Sequence, residues 1–199
     1  VVIIGPAHYF GFSGVSVYPE GVFRTPLGDV EIDNEFTSKL LNTEEEVVVQ
    51  PLAFNREHSI EVQLPFLQRS LTGFKIVPIL TGDCSLSTCQ KLARLLKEAI
   101  GKRKDVLVIA STDMYHGYDY NETQAFDDAS LSCMKNMNAE ELYYGLREGK
   151  FRLCGGFAVV STIMLARELG HEKLVVLNYT NSALVTGKKN KGVWTVGYA

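Results

Sequence analysis

Three of the four histidines stand in polar clusters that follow or interrupt strongly apolar segments. The clusters are Gly5-Pro6-Ala7-His8, Glu57-His58-Ser59-Ile60-Glu61 and Ser111-Thr112-Asp113-Met114-Tyr115-His116. Imidazole nitrogens beside carboxylates suit either metal ligation or proton transfer, because histidine changes charge near neutrality and its neutral ring is a metal donor. His8 follows an apolar run and a Gly-Pro turn, so it is either a ligand or general base at a strand end, or a structural residue bonding loop carbonyls. Asp113 and His116 follow the most apolar run. Asp113 can bind a metal or orient a histidine from behind, His116 can move protons, and Tyr115, Tyr118 and Tyr120 supply aromatic walls with hydroxyls. A turn cap for Asp113 is the plainer alternative.

His58 and Glu61 are three apart and would share one face of a helix, with Glu57 as a local cap. Cys154 precedes Gly155-Gly156 and a helical stretch, and a thiol at a helix N-terminus is expected to ionise more readily. The same residue also reads as a small inert hydrophobe. Arg24-Thr25-Pro26-Leu27-Gly28-Asp29 reads as a turn at the margin of the site, where Arg24 can hold a carboxylate. The fragment Thr186-Gly187-Lys188-Lys189 lacks the spacing of a phosphate loop.

These residues need a scaffold that brings loop ends together. Val1–Ile4, Lys75–Leu80, Asp105–Ala110 and Lys173–Leu177 read as strands covered on both faces, being nearly continuous in Val, Ile and Leu. Val15–Tyr18 and Val47–Gln50 read as an edge hairpin or further strands, and Val193–Tyr198 as the strand closing the sheet. Between them lie helices over Glu57–Leu71 (kinked or shortened by Pro65), Leu86–Ile100 capped by Gly101, Asn121–Asn136, Ala139–Glu148 and Gly156–Leu169. Alternation of this kind predicts an α/β fold, a single domain with a mostly parallel central sheet flanked by helices. In such sheets the carboxyl ends of the strands form the binding rim, which is where His8 and Asp113 fall.

Composition narrows the partners. A chain of 199 residues with 46% hydrophobic content fills one core. A net charge of −3 and a pI of about 5.8 give no electrostatic reason to expect nucleic acid or an anionic membrane. No run approaches the ~20 apolar residues of a membrane span. Four cysteines without paired spacing suggest neither a zinc site nor a disulfide framework, so the expected compartment is the cytoplasm.

The stretches Gly5–His8, Arg24–Asp29, Glu57–Pro65, Ser111–Asp113 with His116, Cys154-Gly155, Asn178-Tyr179 and Gly197-Tyr198 together resemble the Memo family. Its prokaryotic members are called AmmeMemoRadiSam system protein B, and its animal members mediators of ErbB2-driven cell motility. That resemblance implies a fold like the class III extradiol dioxygenases of the LigB type, which hold iron by two histidines and a glutamate in an open facial arrangement. In the Memo pattern a cysteine replaces the glutamate.

Carried over residue by residue, His8 and Cys154 match metal ligands, Asp113 and His116 polar residues beside the site, and His58 and Glu61 the motif lining it. Taken with the reading of the residues themselves, the expected metal ligands are His8, Cys154 and Asp113, the expected catalytic residues His116, His58 and Asp113, and the expected substrate-binding residues Arg24, Glu61 and Tyr115. The family's other histidine lies in a Pro-His-Ala-Gly motif absent from this sequence. The resemblance therefore implies residues 1–199 as one Memo-like domain lacking the family's N-terminal segment, with a partial ligand set. The expected function is a vestigial or modified dioxygenase-type site for a redox metal, iron or copper, or a small ligand. The alternative is a non-catalytic module gripping a peptide or protein in the same cleft, and a third reading makes Cys154 the nucleophile of a hydrolase. The expected partners are a small-molecule or peptide ligand, and self-association is left open.

Overall fold

Alternate residues of the first strand enter two different cores: Val2 and Ile4 one, Ile3 the other. That two-sided burial follows from a run with no polar positions, since successive side chains of a strand point to opposite faces. The computed structural model describes residues 1–41 and 47–199.

In chain order the elements are β1 (Val2–Pro6), β2 (Val15–Val17), β3 (Val22–Thr25), β4 (Gly28–Glu31), α1 (Asn34–Leu41), β5 (Val47–Val48), α2 (Leu64–Ser70), β6 (Val77–Thr81) and α3 (Leu86–Ile100). They continue with β7 (Val108–Ala110), β8 (His116–Gly117), α4 (Tyr120–Lys135), α5 (Ala139–Glu148), α6 (Gly156–Glu168), β9 (Thr180–Asn181), α7 (Ser182–Thr186) and β10 (Thr195–Tyr198).

The central sheet has five strands in the order β5-β2-β6-β1-β7. β6, β1 and β7 run parallel, as do β2 and β5, but β2 meets β6 antiparallel, so the sheet is mixed. One face is covered by α3 and α6, which pack on each other, together with α1, α4 and α5. The other is covered by α2 and the β3–β4 hairpin through Ile60, Leu64, Leu67, Val30 and Ile32. The expected α/β class, single domain and flanking helices are present. Among the described residues no helix is long and apolar enough to cross a membrane.

Three local expectations are corrected. The stretch Glu57–Leu71 is not one helix: a loop leads to a 3₁₀ turn, Glu61–Gln63, and the α-helix begins only at Leu64. Pro65 therefore stands in the first helical turn, where a missing N–H does no harm, and kinks nothing. Of the two alternatives for Val15–Tyr18 the further strand is the one formed, Val15–Val17, inside the sheet. Thr195–Tyr198 does not close the main sheet but joins β8 and β9 in a separate three-stranded sheet. Lys173–Leu177 forms no ladder among the described residues: Leu174 and Val176 pack against the core, while Val175 and Leu177 are 72% and 94% exposed. A Val/Leu run supplies strand composition, but a ladder also needs an edge in register.

Candidate functional site

Because β6, β1 and β7 are parallel, their carboxyl ends lie on one side of the sheet, and three loops start there: Ala7–His8, Gly82–Asp83 and Ser111–Asp113. Ser111 is tied in by its N–H, which donates to the Ile4 carbonyl at 2.8 Å. The Glu57–Ile60 loop closes over β1 at Gly5, where a Cβ would stand 2.5 Å from the Ser59 hydroxyl oxygen. Only glycine admits that approach, which lets the Ser59 hydroxyl donate to the Pro6 carbonyl at 2.9 Å. On the far side, Gln63 Nε2 donates to the Ser111 hydroxyl at 3.1 Å, pinning the 3₁₀ turn to the end of β7.

This docking brings Glu57 against His8. The carboxylate is 6% exposed. Its Oε2 accepts from the His8 backbone N–H, and Oε1 accepts from the His8 ring at 2.9 Å, from His58 N at 2.8 Å and from Ser59 N at 2.9 Å. Burial pushes this carboxyl up, but the bonds from His8 and Ser59 together pull it below its ordinary range. Held ionised, Glu57 can only accept, so His8 Nδ1 carries a proton and, in the neutral ring, Nε2 is the nitrogen with the free lone pair. His58 stacks on His8 with ring centroids 4.8 Å apart and planes 13° from parallel. Among the described residues, His8, Glu57 and His58 are the one group of three potential ligands whose donor atoms all lie within 4.8 Å of one another.

The third loop forms a second polar group. His116 Nε2 lies 3.4 Å from Asp113 Oδ2, and this nitrogen is buried without a hydrogen-bond partner among the described residues. Cys154 Sγ accepts from the Asp113 N–H at 2.9 Å, while Cys154 N donates back to the Asp113 carbonyl at 3.2 Å. Gly155 lies so close to β7's exit that a Cβ would stand 2.3 Å from the Ser111 carbonyl oxygen. Despite its place at the head of α6, the Cys154 thiol is pushed up: burial outweighs the donors from Asp113, Thr112 and Gly155. The helix-terminus argument for a readily formed thiolate therefore loses to desolvation. Cys154 also lines a cavity of about 490 Å³ with Pro6, Ala7, Phe10 and Asp83, so it borders the mouth of β1.

The remaining candidates scatter. Arg24 is on the β3–β4 hairpin, 81% exposed and clamped by Asp29 at 2.8 and 3.1 Å. Glu61 is exposed at the start of the 3₁₀ turn. Tyr115 stacks on Phe126 with centroids 4.5 Å apart, and Tyr118 packs edge-on to Trp194, which also meets His116. Glu57 was legible only as a cap, and it does accept two backbone N–H groups, but its grip on His8 joins positions 49 apart and leaves no local signal. Asp127 is a second residue missed by sequence reasoning: it has no exposed surface, and accepts from Tyr115 N at 2.8 Å and from the Tyr179 hydroxyl at 2.7 Å.

The chain is similar to known proteins over its full length. Residues 1–199 match the family model described as Memo-like protein. A MEMO1 family protein of Methanocaldococcus jannaschii is 38% identical over 208 residues, covering 100% of this chain and 70% of the relative. One from Aquifex aeolicus is 36% identical over 203 residues, covering 99% and 73%. One from Caldivirga maquilingensis is 34% identical over 199 residues, covering 100% and 70%. With the family model spanning every residue, from the His8 loop to the closing strand at Tyr198, the chain belongs to the Memo-like family.

Proposed function

We propose that this protein binds a redox metal, iron or copper, at the rim of its sheet, with His8 Nε2 as the anchoring donor and His58 beside it. The observation that carries the reading is the Glu57 carboxylate behind His8. A buried acid that fixes a histidine's tautomer and ring orientation is the usual support of a metal-bound imidazole. With four bonds already accepted, Glu57 serves better as that support than as a ligand. Cys154, before α6, completes the proposed donor set from family likeness, with Asp113, whose N–H bonds its Sγ, as a further donor and His116 beside them for proton transfer. Mixed nitrogen, oxygen and sulfur donors fit iron or copper, which when bound would supply one-electron chemistry. The likeness to LigB-type dioxygenases belongs to the same proposal, as a modified site on a related scaffold. A reducing cytoplasm suits it, since all four cysteines are free thiols.

Elemental analysis of protein loaded anaerobically with ferrous or cuprous ion tests this. We expect His8→Ala to lose the metal and Glu57→Gln to weaken it by about 10–100-fold, the usual effect of removing an orienting carboxylate. Full stoichiometry in His8→Ala would refute the reading. The exposed rings of Tyr9 beside His58, and of Tyr118 and Trp194 beside His116, support a second reading as a peptide-binding module. That module would keep its peptide affinity in His8→Ala.

A further inference from the structure

Behind Cys154, on the side away from β1, lies a cavity of about 310 Å³ between the end of α5 and the start of α6. Its walls are apolar at Leu146, Phe151 and Phe157 and cationic at Arg147 and Arg152, and no acid among the described residues lines it. The two guanidiniums differ. Arg147 is occupied: it pairs with Asp83 at 2.8 Å, donates to the Cys84 carbonyl at 2.7 Å and lies over the Phe157 ring. Arg152 makes no hydrogen bond or ion pair with any described residue. Its side chain is exposed at the cavity's rim, with its guanidinium carbon 6.0 Å from the Phe126 ring centroid and a guanidinium nitrogen 3.0 Å from where a Cβ on Gly149 would stand.

An arginine fork at the rim of an apolar wall, without a hydrogen-bond or ion-pair partner among the described residues, can receive a planar anion. We propose that this cavity is an anion subsite, in which Arg152 holds the carboxylate of a small molecule whose apolar body lies on Leu146, Phe151 and Phe157. Cys154 and Phe157 line both this cavity and the one at the mouth of β1, so a molecule seated here reaches toward the His8 rim. Arg24, clamped by Asp29, is then not the carboxylate anchor. The inference goes beyond the metal reading and requires no metal.

The test is calorimetric titration of phenylacetate and its neutral isostere phenylacetamide into the full chain, freed of metal with chelator. We expect saturable binding of phenylacetate, with phenylacetamide and the Arg152→Ala variant each weaker by about tenfold or more, the scale of one charge-assisted bond. Arg152→Lys should fall between, keeping the charge without the fork. Phenylacetate should also slow alkylation of Cys154. Equal affinity for acid and amide, equal affinity in Arg152→Ala, or no saturable binding would overturn the proposal. Loss of binding in His8→Ala but not in Arg152→Ala would move the anion to the histidines and likewise overturn it. The acid–amide comparison uses unaltered protein, so it stands whatever the variants do to folding, and a failed metal-loading experiment leaves it untouched.

Discussion

Asp127 carries a carboxyl with no exposed surface, and its ionisation is unfavourable there: burial raises its pKa more than the bonds from Tyr115 and Tyr179 lower it. An acid whose folded pKa exceeds its unfolded value is most favourable to folding below the unfolded value. Its contribution declines as pH rises from there through the folded pKa, then stays level. Asp127→Asn can keep both partners, accepting from Tyr115 N and donating to the Tyr179 oxygen. We expect the parent's urea midpoint to fall, relative to the variant's, as pH rises from about 4 through the raised folded pKa. Parallel pH profiles would show that this carboxyl is ionised without penalty. Residues of this kind explain how much of the site could be read in advance. His8 and Asp113 were legible because each ends an apolar run, and strand ends are where a parallel sheet presents side chains. Glu57 and Asp127 were not, because a sequence does not say which carboxylates lose their water.

At the scale of elements, what could be read was whatever is settled locally. Ala139–Glu148 is helical over the residues its periodicity marked, bounded by the Asn138 side chain accepting from Glu141 N and by Gly149 in the left-handed region. Leu86–Ile100 is likewise fixed by the Ser85 cap and Gly101. The Glu57–Leu71 stripe misled because Ile60, Leu64 and Leu67 do enter one core, yet only the last two do so from a helix. Junctions between elements escaped notice because they depend on approach distances. One such junction at the site is Gly155, against the Ser111 carbonyl. Gly155→Ala should destabilise the fold by about 1–3 kcal/mol, as forced overpacking does, and displace Cys154 from Asp113. Gly11→Ala, with nothing within 4 Å of its Cβ, is the matched control. Equal urea midpoints for the two variants would show that the α6 junction yields freely.

For the molecule as a whole, parallel strands with helical crossovers explain why three distant loops share one rim, and the single reversed pairing of β2 and β6 does not disturb it. Class and core were legible from the apolar runs; the mixed pairing was not, since run composition is blind to direction. The Lys173–Leu177 segment has a consequence beyond the native state. In an unfolded chain its Leu-Val-Val-Leu stretch contains no proline or glycine and is interrupted by no charge, only flanked by Glu172 and Lys173. After folding, Leu177 still faces solvent and no ladder occupies the segment. Such stretches nucleate cross-β contacts between chains while folding is incomplete. Dilution from urea at rising protein concentration should therefore give increasing light scattering, and Leu177→Lys should suppress it with little change in the urea midpoint. If both proteins scatter alike, aggregation starts elsewhere. Otherwise, a residue idle in the folded molecule sets the concentration at which the protein can be renatured.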